Sequence, residues 1–385
     1  MPREREVPGG VKDFLPREMG LKRQIELAAL SMLKSWGYQE VDTPVYEYLE
    51  VVERSAGQYI REELQLLLDR EGHILVLRPE MTIPIARLAS THLKEEPLPL
   101  RLAYSANIFR HTQPQMGRYK EFWQLGVEMI GAKGVRADAE VIALAALCLE
   151  RMGLRDYKIS VNHVRIFNQI MSALHLDIDE DQSLRDLVVR KDLVGLESKL
   201  EQLNLPAPLK EELLKLPLAQ GGPEIIKQFP SLMLLPKVKG AVDELMKVIA
   251  ELERLGVGDR VVIDLGVLRD LDYYTGVIFE GYSPQLGFPL LGGGRYDNLM
   301  SQFGWANPAT GFAIGLERVM LCLGFPVDNE KRYFIGGNDW GRIIKEAERL
   351  REQGMIVEVD VEGRSRTDLL KDLEQRPGYE VIYVD

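Results

Sequence analysis

The sequence predicts an α+β protein: an antiparallel sheet with flanking helices, a helical insertion and a small C-terminal α/β module. Three observations predict it. Leu98–Phe109 and Glu121–Ile130 are strand-like runs joined by the polar turn HTQPQMGRYK, the arrangement of two antiparallel strands. Residues 177–256 are rich in Leu, Lys and Glu, poor in β-branched residues, and broken by Pro206, Pro208, Pro217, Pro223 and Pro230, which reads as several short helices. After Phe325-Pro326 the strand and helix patterns alternate β-α-β-α-β. The expected organisation is a core at 1–325, with its insertion at about 177–256, and a module at 326–385.

Taken in order, Pro8-Gly9-Gly10 with Asp13 and Pro16 reads as an ordered opening loop. Leu21, Ile25, Ala28, Leu30, Met32 and Leu33 recur at helical spacing from Glu18 to Trp36, and Gly37 is a natural stop. Tyr38–Pro44 is extended, because a residue before proline is pushed toward β. Gly72–Leu77 is a short strand running into Arg78-Pro79-Glu80, and Thr82–Thr91 is a helix with Thr82 as its cap. Ala137–Met152 is an amphipathic helix, followed by a strand at Lys158–Val161. Past the insertion, strands are expected at Val261–Leu265, Tyr273–Glu280 and Phe288–Leu291, then the run GGGRY, then a helix over Gly311–Leu323. The last module reads as strand Tyr333–Ile335, helix Asp339–Gln353, strand Met355–Val359, helix Ser365–Gln375 and strand Glu380–Val384.

Composition excludes several function classes. The 385 residues fit two or three domains at about 150 residues each. With 48 Lys+Arg against 59 Asp+Glu the net charge is -11, which disfavours a generic cationic nucleic-acid binder. Cys148 and Cys322 stand far apart, outside any Cys-x-x-Cys spacing, so neither a disulfide framework nor a cysteine zinc site organises the chain. The five histidines form no His-x-x-x-His pattern, and no metal site is expected. The segment MPREREVPGGVKDFLP lacks the apolar run of a signal peptide, and no stretch approaches 18 apolar residues, so the expectation is a soluble cytoplasmic protein without a membrane segment.

Four constellations carry chemistry. Arg110 sits at the end of one strand and offers a planar fork to a carboxylate or phosphate. On the returning strand Gln124 and Glu128 share a face by period-2 alternation, with Gly126 between them. RDLDYYTG (269–276) places Arg269, Tyr273 and Tyr274 at a strand entrance. GGGRYD (292–297) lets backbone approach a ligand closely, and GFAIGLER (311–318) sets Arg318 beside small residues. Alone, each has a bland reading: a solvated strand face, a tight turn, a surface arginine.

Together, FRHTQPQMGRYKEFWQLGVE, RDLDYYTGVIFE, GGGRYDNL and GFAIGLER resemble the class II histidyl-tRNA synthetases from Val7 to Leu323, about four-fifths of the chain. Within that family the chain is most similar to the synthetase-derived regulatory subunits of ATP phosphoribosyltransferase, which keep the fold without charging tRNA. Three departures favour them. Synthetases carry Phe-Arg-x-Glu, whose glutamate helps hold adenine, where this chain has Thr112, followed by Gln113. That loss weakens ATP binding by a few kcal/mol, on the order of one charged hydrogen bond. Arg-Pro-Glu-Gly-Thr is replaced by Arg78-Pro79-Glu80-Met81-Thr82. The last module is a truncated version of the anticodon-binding domain, with 14 Asp+Glu against 10 Lys+Arg from Pro326 to Asp385, and so lacks a phosphate-tracking surface.

The resemblance implies a non-catalytic protein, with no cofactor, no metal and no tRNA. Its partner is the short-form catalytic subunit of ATP phosphoribosyltransferase, which joins ATP to phosphoribosyl pyrophosphate in the first step of histidine biosynthesis. L-histidine is the implied effector, and the implied assembly is a self-dimer, built on the Glu40–Pro44 region, inside a hetero-oligomer as large as a hetero-octamer. The implied histidine site has Glu80 and Thr82 at the α-amino group and Arg110 with Gln124 at the carboxylate. Glu128, Tyr274 and Tyr296 surround the imidazole, with Arg269 and Tyr273 closing the site. Arg110 and Arg318 match the synthetase arginines that clamp ATP phosphates and remain as a vestigial phosphate site. The alternatives are a synthetase with an atypical motif 2 and a free-standing histidine sensor.

Overall fold

The computed structural model describes residues 5–56, 63–111, 119–267, 274–324, 331–373 and 378–384. The chain divides into two units, Met1–Gly324 and Phe325–Asp385. The first opens with α1 (Pro16–Ser35), which buries Leu21, Ile25, Ala29, Met32 and Leu33 along one stripe. Then come β1 (Gln39–Glu40), β2 (Tyr46–Tyr48), α2 (Leu49–Ala56), β3 (Gln65–Leu68), β4 (Ile74–Leu77) and α3 (Thr82–His92). The long pair β5 (Leu100–Phe109) and β6 (Glu121–Ile130) precedes α4 (Val135–Arg151), β7 (Lys158–His163) and α5 (Val164–Leu174). Helices α6 (Ile178–Val189), α7 (Leu193–Gln202) and α8 (Ala207–Lys215), strand β8 (Gln220–Gly221) and helix α9 (Pro236–Arg254) follow. The unit closes with β9 (Val261–Asp264), β10 (Val277–Tyr282), β11 (Leu291–Arg295), β12 (Ala309–Gly315) and α10 (Leu316–Leu323).

Nine of these strands form one sheet in the order β1-β5-β6-β12-β11-β10-β7-β9-β8. Its middle is antiparallel throughout; β1 joins β5 and β9 joins β7 in parallel. Alternation gives the two faces different tasks. Leu125 and Val127 of β6 and Phe312 and Ile314 of β12 enter the main core, shared with α1, α4, α9 and α10. Gln124, Gly126 and Glu128 face the other way, toward a second cluster built from α3, Tyr104, Tyr296 and Leu299.

Four expectations need correction. Residues 311–315 are strand, not helix: Phe312 and Ile314 are buried while Gly311 and Ala313 show the opposite face, and β12 lies at the centre of the sheet, between β6 and β11. The glycines of GGGRY lie inside β11 rather than after a strand. Thr82 does not cap α3: it is the first helical residue, and Glu80 accepts from Thr82 N at 3.0 Å and Ile83 N at 2.6 Å. The helical insertion packs onto the large sheet. β8 pairs with β9 at the sheet edge, and α9 buries Val238, Val242, Leu245, Ile249 and Leu252 against α4 and α5. The strand expected at Tyr273–Glu280 is observed at Val277–Tyr282, with Tyr273 itself outside the described residues.

The second unit contains β13 (Arg332–Gly337), α11 (Trp340–Glu352), β14 (Ile356–Val359), α12 (Arg366–Leu373) and β15 (Tyr379–Val384). Its sheet is parallel in the order β14-β13-β15, over a core of Ile335, Ile343, Ala347, Leu350 and Val357. Asp339 caps α11 by accepting from Arg342 N at 3.2 Å. Among the described residues, no helix is long and apolar enough to cross a membrane.

Candidate functional site

A cavity of about 120 Å³ opens on the glycine-bearing face of the sheet. At about 10–15 Å³ per water-sized group it takes on the order of ten such groups, the size class of one free amino acid. Its floor is bare because side chains there cannot be tolerated. A Cβ on Gly311 would stand 1.8 Å from Glu128 Oε2, and one on Gly126 would meet the Tyr104 hydroxyl at 2.5 Å.

The wall at α3 is set by a buried arginine. Arg78, 3% exposed, donates from Nε to Asn107 O at 2.9 Å and from Nη1 to Thr43 O at 2.5 Å. This clamps the Arg-Pro-Glu turn to the end of β5, where Phe109 N donates to Arg78 O at 2.9 Å. Arg110 Nε donates to Pro79 O at 2.7 Å, so the guanidinium and the start of α3 are positioned together.

Glu128 is the hub. It is 1% exposed, accepts from Thr82 Oγ1 at 2.8 Å through one oxygen, and accepts from the Tyr296 hydroxyl through the other. Burial pushes its carboxyl up to about 8; the bonds from Tyr296 and Thr82 pull it down, and the neighbouring Glu80 charge adds to the rise. Burial also raises Glu80, against its backbone bond from Ile83 and the charge of Arg110. Tyr104 from β5 lies opposite Gly126 and donates to Phe312 O at 3.4 Å. Burial, with Glu128 next in effect, holds its hydroxyl protonated.

Across the cavity, Arg318 of α10 donates from Nη1 to Pro289 O at 2.5 Å and lies over the Phe288 ring at 5.3 Å. Gln124 completes the polar lining. The result is an acceptor-rich end formed by Glu80, Glu128 and Thr82, and cationic groups at Arg110 and Arg318. That pattern suits a small zwitterion or an anion-bearing ligand.

Of the residues expected at the site, Glu80, Thr82, Arg110, Gln124, Glu128, Tyr274, Tyr296 and Arg318 all line this one cavity. Arg269, Tyr273 and Thr112 lie outside the described residues. Sequence reasoning missed Tyr104, Phe122 and the sheet glycine Gly311. Tyr104 was within reach: alternation along β5, combined with the register of β6, puts it on the face of Gln124 and Glu128. Arg295, from the GGGRY run, points elsewhere and forms a buried ion pair with Asp138 at 2.8 Å.

The profile of the histidyl-tRNA synthetase family matches residues 10–319. A protein from Moorella thermoacetica named ATP phosphoribosyltransferase regulatory subunit is 42% identical over 94% of this chain and 94% of its own. A Bacillus halodurans crystal structure described as ATP phosphoribosyltransferase regulatory subunit/histidyl-tRNA synthetase is 36% identical. It superposes with a TM-score of 0.89 over 100% of this chain and 99% of its own. Histidyl-tRNA synthetase from Nostoc sp. PCC 7120, at 22% identity and a TM-score of 0.83 over 98% of this chain and 91% of its own, shows the shared class II fold.

Proposed function

The chain belongs to the ATP phosphoribosyltransferase regulatory subunits within the histidyl-tRNA synthetase-like family, and we propose that it acts by binding the short-form catalytic subunit, activating it and transmitting feedback inhibition by histidine. The chain itself carries out no group transfer. The observation that carries the reading is the convergence of Glu80, Thr82, Arg110, Gln124 and Glu128 on one amino-acid-sized cavity, in a sequence with Thr112 where synthetases have their adenine-reading glutamate.

In this reading histidine occupies the inherited pocket. Its ammonium meets Glu80 and Thr82, its carboxylate meets Arg110 and Gln124, and its imidazole lies among Glu128, Tyr274 and Tyr296. Arg269 and Tyr273 close the site, and Arg110 and Arg318 keep residual phosphate-binding capacity. No tRNA is engaged, because the small α/β unit at 326–385 is net acidic. The chain self-associates through the Glu40–Pro44 region, which begins at the exposed edge strand β1, within a cytoplasmic hetero-oligomer.

A pull-down with the short catalytic subunit, run beside a tRNA-charging assay, tests this. Capture of the catalytic subunit and no charging is expected. Charging of tRNA with histidine and no capture would establish the synthetase reading; neither activity, with histidine binding retained, would establish a free-standing sensor.

A further inference from the structure

A second cavity, of about 390 Å³, lies on the same face of the large sheet. The strand register connects the two. Tyr104, Gly126, Ala313, Gly292, Glu280 and Ser160 are successive cross-strand partners from β5 to β7. Residues directly opposite one another show the same face of a sheet. Tyr104, Ala313 and Gly292 line the first cavity, while Glu280 and Ser160 line the second.

The second cavity has a built floor. Asp264, at the end of β9, is 6% exposed and Ser160 is 1% exposed. Asp264 is fixed in place, since its Oδ1 accepts from Gly266 N at 3.0 Å. Ser160 Oγ is held at 3.4 Å from Gln220 Nε2 of β8. A carboxylate this deeply buried is costly unless a cation or donor meets it. The cations here are at the rim. Lys158 is exposed and anchored by donating from Nζ to Asp259 O at 2.6 Å, and Lys191 is exposed on the turn between α6 and α7. Burial raises the Asp264 carboxyl, and the charge of Lys191 pulls it back.

We propose that this cavity binds a small zwitterion of the α-amino-acid class, with its ammonium toward Asp264 and Ser160 and its carboxylate between Lys158 and Lys191. A second acid in the lining, Glu280, accepts from the Tyr282 hydroxyl. Asp264 at the floor and two cations at the rim are the complement of such a ligand; a simple anion would meet Asp264, and a simple amine would leave the lysines unmatched. The site is separate from the histidine pocket and stands whether or not that pocket is occupied.

The test is calorimetric titration of the full-length chain carrying Glu128→Ala, which silences the first cavity, with each common L-amino acid in turn. At least one is expected to bind. Adding Asp264→Asn, which keeps size and an acceptor for Gly266 N, weakens that binding at least tenfold, and Lys191→Gln weakens it several-fold. The corresponding amine without its carboxylate, and acid without its amine, each bind at least tenfold more weakly. If Glu128→Ala does not fold, the same titrations are made on Glu128→Gln. Absence of amino-acid binding in a folded chain, or binding indifferent to both Asp264→Asn and Lys191→Gln, overturns the proposal.

Discussion

The Glu317 carboxylate accepts from the backbone N–H of Trp123, its two oxygens at 2.9 and 3.0 Å. β12 ends at Gly315, opposite Gln124, and Glu317 takes over as acceptor for the next N–H of β6. Gln124 and Arg318, the neighbours of these two residues in sequence, both line the first cavity. One side-chain-to-backbone contact therefore ties two walls of the site together. Glu317→Ala leaves a partly buried N–H without this acceptor, at a cost of about 1–3 kcal/mol. Urea unfolding is expected to register that loss, with Glu317→Gln much closer to the parent; equal effects of the two substitutions would dissociate the contact from stability.

The same carboxyl and Glu128 give stability a defined pH dependence. Burial pushes Glu317 up to about 7 and Glu128 up to about 8, both above the ordinary glutamate value of 4.5. The native state then holds protons that the unfolded state releases, so stability falls as pH rises from about 4.5 through about 8. At about 1.4 kcal/mol per pKa unit the combined ceiling is several kcal/mol. Unfolding measured near pH 5 and near pH 9 should show this fall, and Glu128→Gln, which mimics the protonated acid, should flatten it. A slope that is unchanged in Glu128→Gln, or that has the opposite sign, would remove Glu128 as its source.

Much of this was legible in the sequence, for identifiable reasons. β5, β6, α4 and the alternation of the last module announce themselves by period. The cavity residues Glu80, Thr82, Arg110, Gln124, Glu128, Tyr274, Tyr296 and Arg318 came from motif resemblance. What escaped was whatever depends on tertiary context. Gly-Phe-Ala-Ile-Gly reads as the opening of a helix until β6 and β11 flank it and call for small residues on one face and large ones on the other. Thr82 has cap chemistry, yet its hydroxyl is used by Glu128 forty-six residues away, while Glu80 takes the helix N–H groups. Asp264 and Ser160 carry no local motif at all; only the register of β7, β9 and β10 brings them to one cavity.

Gly311→Ala tests whether the bare floor is required. The added methyl would stand 1.8 Å from Glu128 Oε2 and 2.4 Å from Val127 O, and the backbone oxygen cannot swing aside. Overpacking of this kind costs about 1–3 kcal/mol, and the displaced Glu128 loses its alignment with Thr82 and Tyr296. A lowered melting temperature together with lost ligand binding is expected. An unchanged melting temperature would mean that β12 shifts without resistance.

Removing residues 326–385 should leave the larger unit folded. The clusters containing Leu125 and Tyr104 draw their buried residues from the first unit alone, and the cluster around Ile335 draws its own from the second. Separate cores of this kind unfold separately. Circular dichroism and a cooperative melt of the truncated chain check this; an insoluble product would show that the second unit supports the first.

Histidine binding by the first cavity is the most discriminating prediction. The pocket presents acceptors at Glu80 and Thr82, a guanidinium at Arg110, an amide at Gln124 and a carboxyl hub at Glu128, all lining about 120 Å³. A cavity built around so many polar groups rejects an analogue that leaves one unpaired, by orders of magnitude where the group is charged. L-histidine should therefore bind by calorimetry, while histidinol, which lacks the carboxylate proposed to face Arg110, should bind much more weakly. Glu128→Ala should abolish binding, because it removes the imidazole's partner and also frees Thr82 and Tyr296 from their shared anchor. Because Glu128 titrates near 8, histidine affinity in the parent should change between pH 7 and pH 9, and in Glu128→Gln that change should disappear. Full affinity in Glu128→Ala would place histidine binding outside this pocket.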